Sequence, residues 1–155
     1  MKKILFLLIV FLVPGIANSQ GIDFSGSWKL NSAKSKLNAE FSMAPKEIII
    51  EQSGNDLKIE KHSSFQDQEF TTNDKLTLDG KECINTGFQD SQKKSTAVWS
   101  DDKKSLKVTS KLSIGDGGEM TIIEVYKIEA DNLILDSNAT SSYGELAETA
   151  AYDKK

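Results

Sequence analysis

The chain reads as an all-β protein: an antiparallel up-and-down meander β-barrel of eight to ten strands, with a short helical segment after the first strand. Three observations lead there. Beyond residue 20 no stretch carries the apolar period of a long amphipathic helix, and short alternating runs recur instead. Turn signals such as Ser53-Gly54-Asn55-Asp56, Asp79-Gly80 and Gly115-Asp116-Gly117-Gly118 separate those runs. The connections are tight, which suits antiparallel neighbours, since a parallel pair needs a crossover of about a dozen residues or more. Such a meander escapes exposed edges most simply by closing on itself, with the last run pairing with the first; an open sandwich is the other arrangement this pattern allows.

The elements follow in order. Residues 1–19 form an expected secretion signal: Lys2 and Lys3 precede an unbroken apolar run at 4–13, then Pro14-Gly15 and the small residues before Ser19. The apolar run is too short to span a bilayer of roughly 30 Å as a helix. No cysteine lies near the boundary, so the product is expected to be exported without lipid, to a periplasm or beyond the cell. Residues 20–155 then form one barrel domain. Its first run is 23–31, followed by 46–52, whose three consecutive isoleucines have strong strand propensity. Runs at 57–62 and 70–78 follow, with Leu57, Ile59 and Lys61 sharing one face and Lys58, Glu60 and His62 the other. Residues 81–88, 94–100, 105–114, 119–128, 133–140 and 145–154 complete ten candidate strands. One connection is long. Residues 32–45 carry Leu37, Phe41 and Met43 among polar and helix-favouring residues, and read either as a short helix capping one barrel end or as a lid over a ligand mouth.

Composition removes several functions. Loss of Lys2 and Lys3 with the signal leaves 17 of the 19 lysines, no arginine, and 23 acidic residues. An acidic chain does not suit nucleic acid, whose phosphates call for basic contacts. Without guanidinium groups, bidentate capture of carboxylate or phosphate is impossible, so an acidic ligand would have to rely on lysines, hydroxyls or backbone amides. Cys83 is the only cysteine, so no intramolecular disulfide exists; beside Glu82 it reads as a small buried hydrophobe.

The residues 24–30, Phe24-x-Gly26-x-Trp28-Lys29-Leu30, resemble the opening of the calycin superfamily, which includes lipocalins and fatty-acid-binding proteins. The extension through Asn31, Lys34, Ser35 and Lys36, the later Trp99-x-Asp101 and the terminal Tyr152-x-Lys154 are similar to small exported bacterial lipocalin-like proteins. The resemblance implies a barrel that holds one small apolar ligand, with Phe24, Gly26 and Trp28 as its structural motif. Lipocalins usually lay a C-terminal arginine across the motif tryptophan. This chain has none, which leaves Lys154 or Lys155 to stack on Trp28. Fatty-acid binders use interior arginines for the carboxylate, so a fatty-acid ligand is not supported.

Enzymatic templates find little to use. One histidine and one cysteine supply no zinc set, no serine sits in a Gly-x-Ser-x-Gly turn, and Asp101-Asp102 and Asp116 lack the spaced oxygens of a calcium loop. No catalytic residue, metal or cofactor is assigned. Asn138-Ala139-Thr140 matches a glycosylation acceptor, which carries little weight in a chain that resembles bacterial proteins. The informative carboxylate is Glu124, on one face with Met120, Ile122, Tyr126 and Ile128. If that face turns inward, Glu124 is a ligand anchor or half of an internal Lys–Glu pair; if Ile123 and Val125 turn inward, it is a surface charge. The candidate ligand residues are therefore Glu124, Tyr126, Met120 and Phe41. The expected function is non-enzymatic binding of a small apolar or amphipathic ligand inside an exported lipocalin-like barrel. The alternative is a structural or interaction module of the cell envelope, its barrel filled by its own side chains. Interior volume separates the two.

Overall fold

The computed structural model describes residues 21–65, 68–87, 90–115 and 117–155. The expected secretion signal and the Asp116 position of the third turn lie outside them. Ten strands run in chain order: β1 (Gly26–Leu30), β2 (Glu47–Ser53), β3 (Asp56–Phe65), β4 (Gln68–Thr77), β5 (Cys83–Thr86), β6 (Gln92–Trp99), β7 (Ser105–Ile114), β8 (Gly118–Glu129), β9 (Asn132–Ser141) and β10 (Gly144–Lys154). All ten form one antiparallel sheet, and every sequential pair is adjacent except at one seam. The first strand meets the last, with Trp28 opposite Lys154 and Leu30 opposite Tyr152. The sheet's two edges, β4 and β5, come together without a ladder. The Asn85 side-chain amide bridges them, accepting from Lys75 N at 2.8 Å and donating to Lys75 O at 3.1 Å. The result is a nearly closed barrel rather than an open sandwich.

After the first strand comes a 3-10 turn at Ser32–Lys34, where the Asn31 side chain accepts from Lys34 N. That turn is the short helical segment expected after the first strand, though it does not cap the barrel end; beyond it, Lys36 bridges to Thr149 of β10 and the chain continues as an irregular segment to Pro45. Two further expectations need correction. Cys83 is half-buried, its thiol 3.6 Å from the Thr77 hydroxyl, because it opens the seam strand rather than a central one. His62 is not at a strand end: β3 continues to Phe65, and the ring meets Glu60 on the outer face at 2.6 Å.

One end of the barrel is solid. Trp28 is buried and donates its indole N–H to Phe24 O at 2.9 Å. Phe24 stacks on Trp99, with ring centroids 5.7 Å apart, and lies against Tyr126. The segment leading into β1 crosses this end. Gln52 accepts from Phe24 N and donates to Ile22 O, and a β-carbon added at Gly21 would strike the Trp99 ring at 2.6 Å. Gly26 is required by its backbone, at φ +140°, and by Lys154, whose aliphatic stem passes 3.1 Å from where a β-carbon would sit. The ammonium of Lys154, one of the two lysines that the sequence offered for stacking there, then lies 5.4 Å from the centre of the Trp28 ring. Burying these aromatic groups, with Ile50, Leu57, Leu106 and Leu133, supplies the main stabilisation of the fold.

Candidate ligand-binding site

The inward alternation of each strand decides what the other half of the barrel contains. Above Leu57 and Ile59, β3 turns in Lys61 and Ser63; above Leu76, β4 turns in Asp74, Thr72 and Phe70. Strands β6 and β7 contribute Lys93, Ser95, Ser110, Leu112 and Ile114. The face of β8 that turns inward is that of Met120, Ile122, Glu124 and Tyr126, which resolves the two sequence alternatives in favour of an interior Glu124.

A polar layer separates the packed end from the open one. Lys61 Nζ lies 2.5 and 2.6 Å from the two Glu124 oxygens. Strands β3 and β8 are not neighbours in the sheet, so this ion pair spans the barrel interior. Tyr126 donates to Glu124 at 3.3 Å, and the Lys61 ammonium stands 5.9 Å from the Tyr126 ring centre. Burial opposes the charge on Lys61, yet the Glu124 carboxylate, with Tyr126 and Asp74, outweighs it and holds the ammonium well above the usual lysine range. Burial, then the Glu124 charge, pushes the Tyr126 phenol up, so it stays a neutral donor. Near the seam, Lys93 Nζ sits 2.5 Å from Asp74 Oδ1, and Ser95 and Ser110 share a hydrogen bond of 2.8 Å.

Above this layer lies a cavity of about 380 Å³, within the range of small-molecule sites. Its walls are mainly apolar: Leu112, Ile114, Met120, Ile122, Leu135 and Ala139 carry the hydrocarbon surface. Lys61, Lys93 and Glu124 form its charged base, and Ser63, Thr72, Ser110 and Ser137 line it with hydroxyls. The segment 41–45 covers the mouth, beside Phe70. Buried Glu148 of β10 holds that cover: its carboxylate accepts from Asn38 N at 2.7 Å and Met43 N at 2.9 Å. Leu37 and Ala44 pack onto the core on either side. The lid reading of residues 32–45 therefore fits better than a helical cap.

Of the four candidate ligand residues, Glu124, Met120 and Phe41 line the cavity, while Tyr126 lies beneath it, packed against Phe24 and touching Glu124 from below. Phe24, Gly26 and Trp28 stand at the solid end, away from the cavity. The sequence reading missed Lys93, Asp74, Glu148 and the serine lining. Strand alternation carried the signal: Asp74 is two residues from Leu76, Lys93 four from Ala97, and Glu148 two from Ala150, all buried positions. Among the described residues, no group of three His, Cys, Asp or Glu side chains is placed to hold a metal ion, and no helix is long and apolar enough to cross a membrane.

Fold and interior together define a nearly closed ten-stranded antiparallel barrel, solid at one end and hollow at the other. The crystal structure of zebrafish ileal bile acid-binding protein complexed with cholic acid is similar to it, with a TM-score of 0.56 over 85% of this chain and 98% of that one, at 15% identity. At that identity the likeness is one of fold. No protein-family model matches the chain, and no curated protein matches its sequence.

Proposed function

We propose that this protein is an exported, non-enzymatic carrier that holds one small amphipathic ligand in its barrel. The observation that supports it most is the covered cavity of about 380 Å³, with hydrocarbon walls and a polar base. A purely structural module would fill that space with its own side chains, as small barrels can. The neighbouring fold's complex with cholic acid agrees with an interior ligand. The absence of a catalytic role rests on the same residues: His62, the sole histidine, pairs with Glu60 on the outer face, away from the cavity. Export rests on the signal-like residues 1–19, and accumulation of a processed chain outside the cytoplasm would test it.

Native mass spectrometry of protein purified from its own envelope tests the carrier reading. A co-purifying small molecule on wild type, lost in an Ala139→Phe variant that fills the cavity but keeps the strand signature in circular dichroism, is the expected result. A bare polypeptide mass together with no binding of an apolar dye would instead favour the filled structural module.

A further inference from the structure

Resting on the carrier reading, we propose that the cavity takes an uncharged amphiphile bearing hydroxyl or carbonyl groups, and discriminates against carboxylates such as fatty acids. Two lysines line the cavity, and both are already neutralised. Lys61 places its ammonium 2.5 and 2.6 Å from the Glu124 oxygens, and Lys93 lies 2.5 Å from Asp74. Each carboxylate stands as close to its cation as an incoming anion could, so a ligand carboxylate meets almost no net positive field and still loses its hydration. Glu148 adds a further buried negative charge, satisfied by the Asn38 and Met43 amides. A cationic ligand is no better placed, because Glu124, the carboxylate on the wall, is held by Lys61.

What the wall offers freely is neutral hydrogen bonding. Ser63, Thr72 and Ser137 face the cavity with hydroxyls, each able to donate and accept. An alcohol, ester, ketone or amide group can pair with them without carrying charge into the barrel. The apolar remainder of the ligand would lie against Leu112, Ile122 and Leu135.

Lauryl alcohol, laurate and laurylamine, equal in chain length, can be compared as competitors of a bound apolar dye at mildly alkaline pH. Wild type is expected to bind the alcohol at least about tenfold tighter than the carboxylate or the amine, a difference of ~1.4 kcal/mol. Glu124→Gln and Asp74→Asn each release one lysine, and each should shift the alcohol-to-carboxylate ratio toward laurate about tenfold or more. Should Glu124→Gln not fold, Asp74→Asn gives the same reading at the second lysine. Laurate or laurylamine binding as tightly as the alcohol, an unchanged ratio in the folded variants, or a bound dye that none of the three displaces would overturn the inference while leaving the carrier standing. Failure of the dye itself to bind would overturn both.

Discussion

Tyr152 is fully buried opposite Leu30, and its hydroxyl has no hydrogen-bond partner among the described residues. An unsatisfied buried hydroxyl costs about as much as a lost hydrogen bond, so Tyr152→Phe is expected to leave stability unchanged or raise it by ~1 kcal/mol at neutral pH in urea titrations. A loss of that size would mean the hydroxyl is satisfied in solution. The same residue shapes behaviour at high pH. Burial pushes the Tyr152 phenol above its ordinary 10.0, with Lys61 opposing and Glu124 and Glu148 adding to the rise. Tyr126 is raised in the same direction by burial and Glu124, and Lys61 is raised by the Glu124 charge despite its burial. All three groups keep their protons longer folded than unfolded, so the unfolded chain releases protons first as pH rises. Stability should therefore be flat through neutrality and fall above about pH 10, with a shallower fall in Tyr152→Phe. Trp28 is legible in sequence because a glycine two residues earlier announces it. The sequence left Lys154 and Lys155 both open as the stacking cation; Lys154 takes the place, while Lys155 pairs with Glu47.

Among the elements, the segment between β1 and β2 has the most bearing on function. Short β1 and β2 leave the wall open beside upper β10, and residues 37–45 occupy the gap. Glu148 ties both ends of that cover through two charge-assisted hydrogen bonds, the kind worth ~1.5–3 kcal/mol each. Glu148→Ala is expected to speed amide exchange at Asn38 and Met43 roughly tenfold to a hundredfold, and to speed ligand release with it. Unchanged exchange at both amides would show that Leu37 and Ala44 alone hold the cover. The sequence left helix and lid open because Ala33, Lys34, Lys36, Ala39 and Glu40 favour helix locally. The choice fell to a tertiary contact, since a buried carboxylate from a strand more than 100 residues away takes the amides of the segment.

Across the whole molecule, the ten strands were readable because alternation and glycine-rich turns are local signals, and the closure of β1 onto β10 followed from the need to hide two edges. The seam at β4 and β5 was not readable, since it depends on a single side chain, Asn85, bridging across. The site was half readable. Glu124 could be named as half of an internal pair, and its inward face was left open because β8 is apolar on both sides, with Ile123 and Val125 opposing Ile122 and Tyr126. Its partner Lys61 shared a face with Leu57 and Ile59 in plain view, yet joining strands three and eight across a barrel requires the barrel's curvature. That ion pair divides the interior: aromatic packing below, hydrocarbon walls and hydroxyls above.

The division makes the central claim measurable. Titration of the folded protein with an apolar fluorescent dye, followed in amide proton–nitrogen spectra, reports where a ligand sits. Saturation at one dye per chain, with shifts concentrated at Lys61, Leu112, Ile122, Leu135 and Ala150, is the result a ligand-holding barrel predicts. No saturable change, or shifts confined to outward positions such as Val98 and Ile123, would contradict it.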